Sequence, residues 1–458
     1  MLALIVSCFL VLLGIWLYRF RTKTYDVAFF HPFCAGRGGG ERVLWHCIKT
    51  LRSQFGSSIR ISIYCADDAA SRSTDDIISS AKRCFAIDQI DDIHFVKCKT
   101  YRLIDPKLYP FFTLILQSLG SMILGMECLL RYRPGLFIDS TGFAFIYPIA
   151  RYLFRCRVAC YTHYPTISTD MLSKVMESRP SHNNKPRVAS SRILTRMKVY
   201  YYRLFAWLYS QFGKSAEVVM VNSSWTRDHV LSLWQTECSI VYPPCEIGEL
   251  CKIPLGNRQP WILSVAQFRP EKDHMLQLEA FALVLSLVKQ HRNRVRLVLV
   301  GGVRNSDDQS LVDELVNRAK ELEIHENIDF HINASYDELY SLYEKCFIGL
   351  HSMWNEHFGI GVVEYMAAGL VTIAHNSGGP RSDIVVPFEG RPVGYLADGT
   401  PEAFSEQLVS VLNGFLYRND DLNGLRMDAR AQCQKFSNER FKDAFLSAME
   451  PFFQIKIG

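Results

Sequence analysis

Two glutamates eight positions apart stand in the stretch Asn355-Glu356-His357-Phe358-Gly359-Ile360-Gly361-Val362-Val363-Glu364-Tyr365-Met366-Ala367-Ala368-Gly369. The first lies in a glycine-containing turn just after the apolar strand 348–351. The second opens a short helix that ends at Gly369. Backbone N–H groups at a helix start favour an anion. A carboxylate in that place suits a sugar diol, to which it offers two acceptor oxygens. Taken alone, the pair also fits ordinary surface glutamates around a turn. A second cluster is CAGRGGGERVLWH, Cys34 to His46, which follows the apolar run Val27-Ala28-Phe29-Phe30. Glycines after a strand and before a helix let a backbone approach a phosphate. Gly38, Gly39 and Gly40 fit that role, with Arg37 and Arg42 adding charge. No Gly-Lys-Ser/Thr follows, so this is not a Walker loop. The position three after Gly38 is Glu41, so the dinucleotide fingerprint fails as well. ATP hydrolysis and NAD binding both lose support. A tight turn without ligand stays open beside the phosphate reading.

The elements that must position these residues alternate. Segments 26–30, 59–64, 136–140, 157–161 and 218–222 read as strands, most of them rich in β-branched or aromatic residues. Helical stretches such as 41–51 lie between them. This is the pattern of βαβ units around a parallel sheet. Pro243 and Pro244 end the first half. A linker at 246–259 precedes a second series, with strands at 261–265, 295–301, 328–331, 348–351 and 371–375. The fold class is therefore α/β, with two doubly wound, Rossmann-like domains at 25–245 and 255–458. Ligands of such folds bind at the carboxyl ends of the strands, so the expected site is a cleft that the two domains face.

The remaining segments bear on the membrane. Met1 to Tyr18, MLALIVSCFLVLLGIWLY, is uncharged and nearly all apolar, and Arg19, Arg21 and Lys23 follow at once. At about 1.5 Å per residue it nearly crosses a hydrocarbon core of roughly 30 Å. The basic flank keeps the rest of the chain cytosolic. A cleaved signal peptide would need a basic n-region and a small-x-small site, and neither is evident. Residues 1–18 thus read as an anchor. The apolar stretch 111–130 contains Gln117 and Glu127, which are costly in lipid. It reads as a helix buried in the protein or dipping into one leaflet. Residues 193–212 form a basic, aromatic-rich helix, suited to an anionic membrane surface or to a core with a solvated basic edge. Residues 178–191, polar with two prolines, read as a mobile loop.

The 458-residue chain is 48 % hydrophobic and 21 % charged, with a formal net charge of +5. Such a weak basic balance suits a membrane surface or a phosphorylated ligand and gives no argument for nucleic acid. Its 14 cysteines are scattered without a C-x-x-C pair, which disfavours a zinc site or disulfide framework and fits a reducing compartment.

The motif around the two glutamates resembles the donor site of the retaining GT-B glycosyltransferases, E-x-F-G-[apolar]-x-x-x-E-x-M-A-x-G. Glu356, Phe358, Gly359, Glu364, Met366, Ala367 and Gly369 match it. Ser377-Gly378-Gly379-Pro380 resembles the family's Gly-Gly loop. Ser264 to Lys272, SVAQFRPEK, resembles its S-x-G-R-x-x-P-E-K segment. There the sequence departs: Ala266 replaces the first Gly, Gln267 occupies the usual Arg position, and Asp273 follows in place of Gly. Lys272 aligns directly, and Arg269 is the guanidinium two residues on. With FFHPFCAGRGGGERVLW and Thr162 to Ser168, THYPTIS, the chain is similar over nearly its whole length to the α-1,2-mannosyltransferases of dolichol-linked oligosaccharide assembly.

The resemblance implies an activity and a set of roles. Mannose passes from GDP-mannose, with retention, to the dolichol-pyrophosphate oligosaccharide on the cytosolic face of the endoplasmic reticulum membrane, as the fourth and fifth mannoses of the core. Other mannosyltransferases of the dolichol pathway are implied partners. Glu356 and His163 face the mannose. Arg269 and Lys272 neutralise the departing diphosphate. Glu364 grips the ribose, and Phe358, Gly359 and Ile360 complete the donor site. Gly38, Gly39, Gly40 and Arg37 approach either the donor or the acceptor pyrophosphate. No Asp-x-Asp pair occurs, so no metal or other cofactor is expected. Two other readings stay open at this point. One is a nucleotide-sugar transferase acting on another lipid, and the other is a catalytically silent scaffold of the same fold.

Overall fold

The computed structural model describes residues 26–36, 38–67, 73–85, 87–88, 90, 92–167, 192–417 and 422–453, without the side chains of 192–195. The expected anchor at 1–18, Arg37 and the loop 178–191 lie outside the described residues. The chain forms two compact units. Unit 1 holds residues up to Asn222, Thr226–Val241 and the segment from Lys442, and unit 2 holds Ser223–Trp225 and Tyr242–Phe441. The break at Val241 and Tyr242 falls where the double proline begins. The last segment differs from the expected 255–458 domain, because it joins unit 1. Its physical reason is local: Phe453 packs on Phe55 at 4.6 Å, and Arg157 lies over the Phe452 ring and donates to the Pro451 carbonyl.

Unit 1 is built on seven parallel strands: β1 (Asp26–Phe30), β2 (Arg60–Ala66), β3 (Ile93–Cys98), β4 (Leu136–Asp139), β5 (Arg157–Thr162), β6 (Val218–Val221) and β7 (Ser239–Ile240). Their order is β3-β2-β1-β4-β5-β6-β7. Its longer helices are α1 (Gly39–Phe55), α2 (Thr74–Phe85), α3 (Thr113–Arg131), α4 (Arg192–Gly213) and α5 (Ser224–Trp234). Four central strands are buried almost throughout, as strands covered on both faces must be.

Helix α3 is the described helix long and apolar enough to cross a membrane, yet one face of it is committed to unit 1. Ser118, Gly120, Ser121, Leu124, Gly125 and Cys128 are buried. Gly125 has no room for a side chain, because a Cβ there would lie 2.5 Å from Ile146. The two polar residues are held as well. Gln117 donates to the Ile104 carbonyl, and Glu127 accepts from the Lys99 and Thr100 amides and from Arg131. The opposite face leaves Leu119, Ile123 and Leu130 exposed. Helix α4 repeats this division: Phe205 and Tyr209 are buried, while Tyr200, Leu204 and Trp207 are exposed. The Tyr201 hydroxyl accepts from the Ile115 amide and its ring packs on Phe112, so the two helices adjoin.

Unit 2 carries six parallel strands: β8 (Gln259–Val265), β9 (Arg296–Gly301), β10 (Ile328–Ile332), β11 (Cys346–His351), β12 (Val371–His375) and β13 (Tyr395–Ala397), in the order β10-β9-β8-β11-β12-β13. The helices are α6 (His274–Leu287), α7 (Ser306–Glu321), α8 (Tyr336–Lys345), α9 (Ile360–Ala368), α10 (Pro401–Tyr417), α11 (Leu422–Cys433) and α12 (Asn438–Phe453), the last ending in unit 1. In each unit the chain leaves its first strand in one direction and its fourth in the other. Ligands of open α/β sheets bind outside the carboxyl ends at that switch point. In unit 2 the switch lies between β8 and β11.

Candidate active site

The residues following β8 and β11 are the ones whose chemistry stood out in the sequence. Tyr365, wholly buried in α9, fixes these two strand ends. Its hydroxyl accepts from the Val265 amide at 2.6 Å and faces the Leu350 carbonyl at 3.4 Å. Gly349 makes the room, since a Cβ at that position would run into the Tyr365 ring. From these ends the chain delivers Arg269 and Lys272 on one side and His351 and Glu356 on the other.

Lys272 Nζ lies 2.5 Å from Glu356 Oε2, with the two side chains 20 % and 15 % exposed. His351 Nε2 approaches the same oxygen at 3.3 Å. That contact falls short of a well-aligned hydrogen bond, and the ring nitrogen has no other acceptor among the described residues. Burial pushes the Glu356 carboxyl up, but His351 and Lys272 outweigh it and hold the group well below the usual carboxylate range. Glu356 is therefore ionised. Ser352 steadies the lysine side from below: its hydroxyl donates to the Lys272 carbonyl at 2.8 Å and accepts from Gln277. Arg269 has its nearest acid, Glu271, at 3.7 Å, and its buried Nε has no partner. Near Lys272, His274 is pushed down to about 4, chiefly by burial with the Lys272 charge adding, so it is neutral at physiological pH.

The turn that carries Glu356 is clamped by the Gly-Gly loop. Gly379 N donates to the Glu356 carbonyl at 2.7 Å, and Asn355 N donates to Ser377 Oγ at 2.7 Å. Gly359, at φ +109, then turns the chain into α9. Here the structure corrects the sequence reading. The helix begins at Ile360, so Glu364 sits one turn inside it and does not open it. The N–H groups free to meet an anion are those of Ile360 and Gly361, because the first turn of a helix lacks intrahelical acceptors. Glu364 accepts from the Tyr343 hydroxyl at 3.1 Å. Phe358 is 3 % exposed and packs between Tyr242 and Phe436. Its ring belongs to the core, which leaves only its backbone to meet a ligand.

In unit 1 the structure brings the glycine cluster to His163. A Cβ on Gly40 would lie 3.6 Å from His163 Nε2, an ordinary van der Waals distance, so the loop and the ring are neighbours. Helix α1 starts at Gly39, earlier than the expected 41–51. Glu41 closes the turn in front of it: its carboxylate accepts from Gly38 N at 2.8 Å and lies 3.6 Å from His31 Nε2. His31 in turn meets Ser140 Oγ at 2.9 Å. The Gly38 amide thus already holds an anion, one supplied by the chain. Burial raises the Glu41 carboxyl, but His31 and the loop amides hold it lower overall.

Sequence reasoning missed His351, Ser352, His31 and the role of Glu41. A histidine ending a strand carries little signal, while Glu41 at the third helical position is the acid of a capping arrangement and was open to recognition. Among the described residues no group of three His, Cys, Asp or Glu side chains could hold a metal ion.

Comparison with known proteins adds to this geometry. Residues 24–234 match the family model described as ALG11 mannosyltransferase N-terminus, and residues 251–420 match Glycosyl transferases group 1. The chain is 42 % identical to the GDP-Man:Man(3)GlcNAc(2)-PP-Dol alpha-1,2-mannosyltransferase of Mus musculus, covering 97 % of this chain and 93 % of the relative. It is 43 % identical to the protein of the same name from Homo sapiens, over 93 % and 87 %. Among solved structures, a glycosyltransferase from Rickettsia africae superposes with a TM-score of 0.62 at 15 % identity, covering 94 % of this chain and 99 % of that one. Sucrose-phosphate synthase from Thermosynechococcus elongatus superposes at 0.65, also at 15 % identity, over 94 % and 100 %. The fold is that of the GT-B glycosyltransferases.

Proposed function

This chain belongs to the GDP-Man:Man(3)GlcNAc(2)-PP-Dol alpha-1,2-mannosyltransferase family, and we propose that it transfers mannose from GDP-mannose to the dolichol-pyrophosphate-linked core in two successive α-1,2 additions. The observation that carries the donor half is the charge arrangement at the switch point of unit 2. Arg269, Lys272 and the first amides of α9 are cationic or dipolar donors, and among the described residues the carboxylates beside them are Glu356, on Lys272, and Glu271, 3.7 Å from Arg269. A diphosphate brings the missing negative charge.

In this reading the bond between mannose C1 and the β-phosphate oxygen breaks, and its electron pair leaves with GDP. Arg269, Lys272 and the Ile360 and Gly361 amides stabilise that charge as it develops. Glu356 holds mannose hydroxyls, and Glu364 holds the ribose. The acceptor hydroxyl oxygen then bonds to C1 with retention of configuration, and its proton passes to the departing β-phosphate oxygen of GDP. His163 and the loop Gly38–Gly40 serve the sugar or a pyrophosphate from unit 1. The Glu41 carboxylate at Gly38 N would have to yield before a phosphate could take that amide.

The acceptor is a lipid, so the enzyme works at a bilayer. We assign the outer faces of α3 and α4 to the cytosolic surface of the endoplasmic reticulum membrane, in addition to the N-terminal anchor. Exposed Leu119, Ile123, Leu204 and Trp207 would enter the headgroup boundary, and Lys198 and Arg203 would meet anionic lipid. The test of the activity is a donor panel. Purified full-length protein, given a synthetic lipid-linked trimannosyl-core acceptor, should transfer from GDP-mannose and from neither UDP- nor ADP-sugars. Transfer from a UDP-sugar, or none from any donor, would overturn the assignment.

A further inference from the structure

Glu356 faces a conflict that the resting structure resolves in one way only. Its carboxylate is ionised and largely buried, and it needs a donor at all times. In the resting site that donor is Lys272. During the reaction Lys272 is required by the diphosphate, and a lysine ammonium that moves onto phosphate oxygens gives up its 2.5 Å contact with Glu356 Oε2. A buried carboxylate stripped of its partner would be destabilised by several-fold to a hundredfold in any equilibrium that keeps it in place. The second group aimed at that oxygen is His351 Nε2, at 3.3 Å, and this nitrogen has no other acceptor among the described residues.

We propose that His351 is a positioning residue that takes over Glu356 when the donor diphosphate recruits Lys272. The step is an exchange of partners: lysine passes from carboxylate to phosphate, and the carboxylate closes the remaining gap to the imidazole N–H. An orphaned buried nitrogen in a folded protein calls for an explanation. Active-site hydrogen bonds that are long in a free enzyme commonly tighten only in the substrate complex. The neutral imidazole with its proton on Nε2 suffices. The place of His351 suits this task. It is the last residue of β11, 5 % exposed, and its strand is fixed through Tyr365 and the neighbouring Ser352. The carboxylate can therefore swing between a mobile lysine and a rigid histidine. In the exchanged state it stays ionised and oriented toward the mannose.

This inference rests on the proposed donor site, and its test separates the two. Wild-type transfer from GDP-mannose checks the site itself. His351→Met keeps the bulk and removes the donor, and His351→Gln restores an N–H at nearly the same reach. If His351 acts through Glu356 during turnover, His351→Met should lower kcat roughly ten- to a hundredfold, with KM for GDP-mannose changed less than about threefold, and His351→Gln should recover to within about fivefold of wild type. In a Glu356→Gln background, which no longer has a buried carboxylate to hold, His351→Met should cost less than about threefold more. Equal kcat for the Met and Gln variants, or an undiminished effect of His351→Met in the Glu356→Gln background, would overturn the proposal while leaving the donor site standing. Tm measurements on the four variants against wild type check that each is folded, and if His351→Met does not fold, the Gln variant alone still decides: a hundredfold loss in it refutes the exchange.

Discussion

Replacing Gly379 by alanine tests whether the pose of Glu356 depends on the Gly-Gly loop. Gly379 has an ordinary helical φ of −60, so alanine is not strained there by its backbone. The obstacle is space. A Cβ at this position would lie 2.6 Å from Phe358 Cα and also against the Phe358 carbonyl oxygen, backbone atoms that no side-chain rotation can move. Ordinary contact begins at 3.4 Å, so the segment 357–358 must retreat by about 0.8 Å or more. The Gly379 N–H to Glu356 carbonyl bond spans the same gap and lengthens with it. A misplacement near 1 Å costs about a hundredfold at a reacting centre, so kcat should fall by roughly thirty- to a hundredfold. Overpacking of this kind costs about 1–3 kcal/mol, which leaves a typical domain folded. Gly256→Ala is the control, because nothing lies within 4 Å of a Cβ there. The assay is transfer of radiolabelled mannose to the synthetic acceptor, with Tm measured in parallel. A Gly379→Ala enzyme that is folded and within threefold of wild-type kcat would refute the claim that this loop sets the catalytic geometry.

Other perturbations probe the remaining roles. Glu364→Ala should mainly raise the KM for GDP-mannose and Glu356→Ala mainly lower kcat, each by about ten- to a hundredfold, since ribose contacts are common to ground and transition states; equal shifts in the same constant would remove the distinction. Lys272→Ala should lower kcat at least a hundredfold while excess EDTA leaves transfer within about twofold; a loss with EDTA that Mn²⁺ restores would assign the leaving-group charge to a metal. A protein lacking residues 1–18 should still bind anionic vesicles, and Ile123→Gln with Trp207→Gln should weaken that binding on the order of tenfold or more, read by co-sedimentation; unchanged binding would place the contact elsewhere. Glu127→Ala should destabilise unit 1 by about 2–3 kcal/mol, because it strips two backbone amides and Arg131 of their acceptor; a denaturant midpoint unchanged from wild type would show those groups rehydrate freely.

The strands at the centre of each sheet were legible because burial on both faces demands apolar, β-branched runs, and 26–30 and 371–375 match their observed limits. The edges were not. β3, IHFVKC, buries only Val96 and Cys98 fully and exposes His94, and β7 and β13 are two and three residues long. Such segments become strands because a neighbour offers hydrogen bonds, and that neighbour is distant in sequence. The start of α9 was misread for a related reason. Ile360-Gly361-Val362-Val363 contains a glycine and β-branched residues, all weak helix formers. The helix begins there because Gly359 turns the chain and Val362, Val363 and Tyr365 bury their side chains, a tertiary gain that intrinsic propensity cannot register.

The same distinction governs the site. Each chemically capable residue announces itself by type, but its partner does not. Lys272 and Glu356 are 84 positions apart, and their contact follows from the pairing of β8 with β11 in a particular register, Ile262 against Ile348 and Leu263 against Gly349. A one-residue slip would turn every side chain of one strand to the opposite face. Sequence alone therefore supplied a phosphate-binding lysine and a sugar-binding glutamate as independent groups. The structure makes them one unit, mutually neutralised at rest. In the proposed reading that changes what binding must accomplish, because the diphosphate has to compete with Glu356 for Lys272 before the site can act. A resting pair of this kind keeps an ionised carboxylate and a cation largely buried without an unpaired charge. In the proposed reading it also links occupation of the phosphate site to the passage of Glu356 from Lys272 to His351, so the carboxylate turns to the mannose only when the nucleotide has arrived.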